Sequence, residues 1–505
     1  MNVSTTSLFT FFLSASLLTA EPDPQKKAAS PPITYAKHIA PLFYEKCVSC
    51  HRPGEAAPFS LLDYANAKRR SKTIRRVVSD RYMPPWQPVP GHGDFKNSLR
   101  LNETDVALIQ KWVKAGCPEG DPANKPAVPH FTKGWNLGQP DLVVEMDQAF
   151  EVHAEGRDIY RYFALPLNLS EDKWVRAIEI RPSARTVVHH SLFFLDNTGK
   201  AQKLQKKDPL PGFTGKGFKA TGSLGAWAVG GMPLELDKQF ALPLPKGSDL
   251  VLQTHFHPSG KIEREKTKIG IYFAKQEPER RIGEFQIPPG FGSRTGLTIA
   301  PGDSNYVIQD HLIVPGDIEL VTVWAHAHQI GSSMKADATL PGGKKIPLFY
   351  IDDWDFNWQG QYQYQKPVVL PKGTRIDVTI TYDNSADNID NPNSPPRRIH
   401  WGEESDDEMG SILFQCVAKN KNEEQSIAQG LQQQSKKSKD RFAQSRQLMR
   451  RLHTVLLLDQ NHDDRVTLAE TPKKHHQAFR RLDQNKDQVV DVNEIKKAGA
   501  FLDKK

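Results

Sequence analysis

Five histidines and one methionine hold the densest chemistry of this chain: the adjacent His189 and His190, then His255, the pair His326 and His328, and finally Met409. Imidazole suits copper in either oxidation state, whereas a thioether is soft and favours Cu(I). The order therefore reads as two copper sites, one with a two-histidine, one-methionine set suited to a metal that is reduced before it meets O2.

Two further motifs have the spacing of metal or cofactor sites. In Cys47-Val48-Ser49-Cys50-His51 the thiols can form thioethers to haem vinyl groups while the adjoining imidazole lies beneath the iron, so haem c is expected. Met83, in Arg81-Tyr82-Met83-Pro84-Pro85-Trp86, is the expected sixth ligand, and an apolar filler is the alternative reading. A methionine ligand raises the potential and makes such a haem an electron carrier. Near the C-terminus, Asp459, Asn461, Asp463, Thr467 and Glu470, and again Asp483, Asn485, Asp487, Asp491 and Glu494, carry side-chain oxygens at the ligand positions of two calcium loops. Arg465 and Val489 would contribute backbone carbonyls. Neither loop has the usual glycine at its turn, where Asp464 and Gln488 stand instead.

Strands and helices must position these groups. In a strand, alternate side chains share a face, so His326 and His328 can reach one metal, whereas His189 and His190 can do so only at a bulge or strand end. His257 relates to His255 as His328 does to His326 and is an alternative ligand. Met232 and Met334 are alternative thioethers, with packing as their default role. Helical periodicity is expected over Ala65 to Asp80 and Asn102 to Ala115, the second with Val106, Leu108, Ile109, Trp112 and Val113 on one face and Asn102 with Asp105 as a capping box. Between Asp141 and Val417 the period becomes two, broken by Pro/Gly turns, which is all-β sandwich grammar. That length exceeds one ordinary sandwich, so two antiparallel, jelly-roll-like lobes are expected, divided near Glu277 to Gly283.

At 505 residues the chain has room for about three to five domains. The expected division is an export signal at 1–20, an all-α haem segment at 34–120, β lobes at 135–278 and 279–420, a linker at 421–440 and a helical calcium-loop pair at 441–503. Four cysteines exclude a disulfide-dense scaffold, and Cys117 and Cys416 read as buried free thiols or as a bridge. The net charge of +8 sits in dispersed runs such as Lys68-Arg69-Arg70, so a solvated surface is favoured over a nucleic-acid partner. The apolar stretch from Leu8 to Leu18, followed by Thr19-Ala20-Glu21, has the length of a secretory signal, and no other stretch approaches a membrane span. An exported, periplasmic or extracellular protein is expected, with no transmembrane segment in the mature chain.

The N-terminal segment resembles small class-I-type c cytochromes through Cys47, Cys50, His51 and the Met83 loop. The β region resembles the copper type II, ascorbate-dependent monooxygenases, the family of peptidylglycine α-hydroxylating and dopamine β-monooxygenases. The resemblance lies in Thr186-Val187-Val188-His189-His190-Ser191, Leu252-Gln253-Thr254-His255, His326-Ala327-His328 and Ser405-Asp406-Asp407-Glu408-Met409, taken in order. It implies that His189, His190 and His255 hold an electron-transfer copper in the first lobe. His326, His328 and Met409 would hold the copper that activates O2 in the second. It further implies hydroxylation of a substrate C–H bond with two electrons, which ascorbate supplies in the animal enzymes; because this chain has its own haem motif, the haem is expected to feed the first-lobe copper and to need an electron donor of its own. The chain departs from the animal enzymes at Gly410, where they have a cysteine, and at Trp324, where the peptide-hydroxylating members have an arginine. A small apolar or aromatic organic substrate is therefore expected over a peptide. The alternative from another class is a non-catalytic haem and copper electron-transfer or copper-binding protein.

Overall fold

The computed structural model describes residues 1, 32–55, 57–131, 134–229, 231–456, 465–483, 485–491 and 494, without the side chains of 445–456, 465, 478 and 491. The export-signal stretch and Asp459, Asn461 and Asp463 lie outside these residues.

The β region forms two sandwich lobes built on one shared sheet. Its eight strands run in the order Leu142–Glu145, Lys268–Phe273, Lys173–Arg181, Phe240–Leu244, Arg280–Ile287, Gly410–Ala418, Ile318–Ala327, Gln361–Leu370. The first four face a four-stranded outer sheet of Ile159–Pro166, Asp249–Phe256, Val188–Asp196 and Gly222–Ala228. The last four face a second outer sheet of Tyr306–Ile313, Arg375–Tyr382, Gly331–Thr339 and Lys345–Ile351. Apolar residues alternate along these strands, so each pair of sheets encloses its own core. Phe163, Phe193, Leu242, Leu252 and Ile271 lie in the first core, and Phe285, Val323, Met334, Ile380 and Phe414 in the second.

The two sandwich lobes are as expected, but their junction is not antiparallel. Arg280 and Arg281 pair in parallel with Phe240 and Ala241, joining the halves edge to edge. Ile282 belongs to the first core while Phe285 and Ile287, on the same strand, belong to the second. The expected boundary near Glu277 to Gly283 straddles the start of this strand: Glu277–Glu279 lie in the loop before it and Arg280–Gly283 within it.

Among the N-terminal residues, Ala40–Lys46, Tyr64–Ser79 and Glu103–Lys114 are helices. The last begins with a reciprocal cap in which Asn102 Oδ1 accepts from Asp105 N–H at 2.9 Å and Asp105 Oδ2 accepts from Asn102 N–H at 3.0 Å. The helices enclose a core containing Phe43, Ile74, Ile109, Trp112 and Cys117. This segment is docked on both lobes. Glu55 accepts from Arg52, Arg181 and Arg185 at 2.8–3.1 Å. Lys96 N–H donates to Gln363 O and Gln365 N–H to Asp94 O at 2.8 and 2.7 Å, covering an edge of the shared sheet.

Residues 421–440, expected as a linker, belong to helical structure that continues through Glu424–Leu456. The difference has a physical cause: Ile427 and Leu431, one turn apart, enter the second core, and Ser438 and Arg441 donate to the buried Asp310 at 2.5 and 2.6 Å. Farther on, Arg465–Thr467 pairs antiparallel with Val489–Asp491. Cys117 and Cys416 are buried free thiols in separate cores. No helix among the described residues is long and apolar enough to cross a membrane.

Candidate metal centres

The first histidine group is made by a register irregularity. Val188 pairs with Phe256 and His190 with His255, leaving His189 as the extra residue of a bulge, which lets adjacent side chains converge. The Nδ1 atoms of His189, His190 and His255 stand 3.1, 3.1 and 3.4 Å apart. With metal–imidazole bonds of about 2.0–2.1 Å, ligands on a tetrahedral ion lie roughly 3.3–3.4 Å from one another, so this triangle has the size of a ligand set. His255 Nε2–H donates to Asp158 Oδ2 at 2.7 Å, which leaves its Nδ1 as a lone pair aimed into the triangle. The Tyr160 ring stacks on His255 at 4.3 Å. His257 is 67% exposed and donates to the other oxygen of Asp158, outside the triangle, whereas His255 is 1% exposed. Burial holds the His189 imidazole down to about 3 and His190 well below its ordinary value, keeping both neutral. Burial pushes the Asp158 carboxyl upward, but hydrogen bonds from His255, Ser405 and His257 outweigh it and keep Asp158 ionised.

The second group sits on the strand Ile318–Ala327 and the residue after it. His326 Nδ1–H donates to Gln359 Oε1 at 2.5 Å and His328 Nδ1–H to Asp407 O at 3.2 Å. Both Nε2 atoms are therefore the available lone pairs. Burial lowers His326 to about 4 and His328 well below the usual range. His326 pairs with Ser411 and Ala327 with Gly410 across the neighbouring strand. Met409, buried, immediately precedes Gly410 at the start of that neighbouring strand. Glu408, 0% exposed, accepts from His328 N–H and Met409 N–H at 2.6 and 2.8 Å. Burial pushes its carboxyl up to about 8. Of the rival thioethers, Met334 is core and Met232 is 47% exposed. Trp324 is buried, its ring 6.4 Å from that of Phe291, which stands 5.3 Å from His326.

The two groups meet at the lobe junction, where the His190 and His326 rings are 5.8 Å apart. Phe356 lies among them, 4.7, 6.0 and 5.9 Å from His189, His255 and His328. Ser405, from the second lobe, donates to Asp158 of the first at 2.6 Å. Asp158, Tyr160, Phe356, Gln359 and Ser405 were missed as site residues. They lie in loops or far along the chain, and only Ser405 falls inside a recognised motif.

In the helical segment, His51 Nδ1–H donates to Phe59 O at 3.0 Å, leaving Nε2 available for iron. Burial raises the thiols of Cys47, to about 12, and of Cys50, which disfavours a reactive dithiol. Met83 is half-buried, with its N–H bonded to Val77 O at 3.0 Å. A cavity of about 990 Å³ opens between this segment and both lobes, bounded by Ser49, Trp86, Trp227, Met232, Trp358 and Gln359.

At the C-terminus, carboxylate oxygens of Asp483, Asp487 and Glu494 lie within 4.8 Å of one another. Glu494 Oε1 accepts from Asn485 N–H at 3.1 Å, and Gln488 turns the chain at φ +66°. In the preceding loop Glu470 accepts from Thr467 N–H and Oγ1 at 2.8 and 2.7 Å. Arg465, Val489 and Asp491 lie in the paired strands.

No protein-family model and no curated protein matches the chain. Among solved structures it is similar to the major capsid protein P2 of bacteriophage PM2, at 10% identity and TM-score 0.25, over 55% of this chain and 97% of that one. It is also similar to PNGF-II, at 7% identity and TM-score 0.25, over 55% of this chain and 65% of that one. Similarity at this level carries no argument about function.

Proposed function

We propose that the protein is an exported copper-dependent monooxygenase that hydroxylates a C–H bond of a small organic substrate and carries its own c-type cytochrome. The observation that carries this reading is the triangle of His189, His190 and His255 Nδ1 atoms, with one tautomer set by Asp158, beside the buried His326 and His328 pair; Met409 would complete the second set. The donor sets fit copper: three neutral imidazoles in one case, two imidazoles and a thioether in the other. Copper held there would supply one-electron chemistry with O2. The chain's residues orient the ligands: Asp158, Gln359 and the Asp407 carbonyl fix three imidazole tautomers, while Phe356 and Tyr160 exclude water. Cys47, Cys50, His51 and Met83 are the residues that would hold haem c, which would supply electrons one at a time. The C-terminal loops would take calcium as a paired EF-hand in a structural role.

A second reading, a non-catalytic electron-transfer or copper-binding protein, draws support from the large cavity, whose walls include none of the six copper-ligand candidates. Metal analysis of copper-reconstituted protein, followed by O2 uptake with candidate apolar substrates, separates the two. Two coppers and one iron per chain with substrate-dependent O2 uptake are expected. The same metal content with no uptake across the panel leaves the second reading, and iron without copper removes the monooxygenase and every copper-binding role, leaving haem electron transfer alone.

A further inference from the structure

The loop Asp352 to Gly360 belongs to none of the sequence motifs, yet it touches histidines of both groups and the segment that carries Met83. Trp354 Nε1–H donates to the backbone oxygen of His328 at 3.1 Å, Phe356 packs among the histidines of both groups, and Gln359 holds His326. On its other side, the loop meets the haem-motif segment. The Trp358 ring stands edge-on to the Tyr82 ring at 6.2 Å, and Gln87 Nε2–H donates to Asp355 O at 2.9 Å. Tyr82 is the residue before Met83. A continuous path thus runs from the Met83 loop through the Tyr82 and Trp358 rings to Gln359, and across a 2.5 Å hydrogen bond to His326.

We infer that this loop is the internal electron conduit of the protein, delivering electrons from the haem segment directly to the His326/His328 centre, with Trp358 and Gln359 as its positioning residues. The inference rests on the proposed function above, and it changes one element of the sequence reading, in which the first-lobe centre was the natural recipient. Neighbouring aromatic rings and short hydrogen bonds shorten the gaps an electron must cross through space, and the loop offers one of each in series. The transfer is of one electron: ferrous haem iron becomes ferric, one Cu(II) becomes Cu(I), and no bond forms or breaks. The interface that holds the route is fixed by backbone, because Lys96 and Gln365 hydrogen bonds tie the haem segment to the second lobe.

The test uses full-length protein loaded with haem and Cu(II). The haem is reduced anaerobically by a photochemical one-electron donor, and its visible absorbance reports the electron leaving. Rapid reoxidation is expected in the parent protein, in Trp358→Phe and in His189→Ala. Its loss is expected in Trp358→Leu, Gln359→Leu and His326→Ala, with the haem midpoint potential unchanged in both Trp358 variants. Reoxidation that survives Trp358→Leu at an unchanged potential overturns the conduit. So does reoxidation lost in His189→Ala but kept in His326→Ala, or a parent protein that holds both metals and shows none. A parent protein that takes up no copper or no haem fails earlier, at the proposed function, and takes the conduit with it.

Discussion

Asp158 is the residue on which the first centre's geometry turns. It receives His255 Nε2–H at 2.7 Å and Ser405 Oγ–H at 2.6 Å, so it sets both a tautomer and a contact between lobes. Removing such a carboxylate partner typically costs about 10–100-fold in metal affinity. Asp158→Asn is therefore expected to weaken copper binding at the first centre by about that factor in competition with a chelator, while His257→Ala, at an exposed position, leaves it nearly unchanged. The neutral imidazoles make a second prediction. His189 and His326 titrate at about 3 and about 4 in the fold, against 6.5 ordinarily. Between those values the unfolded chain binds protons that the folded chain does not. Stability of the metal-free protein thus falls as pH falls from 6.5 towards 4, by up to about 1.4 kcal/mol per pH unit for each histidine. A lower denaturation midpoint at pH 5 than at pH 7 is expected; equal midpoints would show that the imidazoles are not buried in the neutral form.

At the scale of elements, the turn at Gln488 offers a clean measurement. A non-glycine residue at φ +66° carries left-handed strain, so Gln488→Gly is expected to stabilise the C-terminal loop by about 0.5–1 kcal/mol, and Gln488→Val to destabilise it, as read from thermal unfolding. That position was legible in the sequence, because a loop with ligand oxygens at fixed spacing needs its turn at one residue. The helices Tyr64–Ser79 and Glu103–Lys114 were legible within a residue, since periodicity and the Asn102 cap are local signals. Alternation showed that His189 and His190 could converge only at a bulge or a strand end, and the structure has the bulge. Asp158 and the Trp354-to-Gln359 loop were not legible. Their partners lie about a hundred residues or more away in the first case and in three different segments in the second, and no local pattern marks a residue whose role is set by tertiary proximity. The helical start of the predicted linker was hidden for a related reason, because two apolar residues in a Gln- and Lys-rich run are a weak signal until a surface exists to receive them.

At the scale of the whole molecule, the shared sheet also escaped the sequence, since the parallel pairing of Arg280–Arg281 with Phe240–Ala241 leaves no hairpin signature. Its consequence is mechanical. A strand that pairs with the first lobe at Arg280 and Arg281 and sends side chains into both cores resists hinge bending, so access to the junction is expected through rotamer changes and loop displacement rather than from the halves swinging apart. The two lobes should also melt as one cooperative unit. A single calorimetric transition for the β region, with its van't Hoff and calorimetric enthalpies in agreement, is expected; two resolved transitions would mean that the ladder does not couple them. A protein built this way holds its two histidine groups, one from each lobe, at a separation set by its own spine.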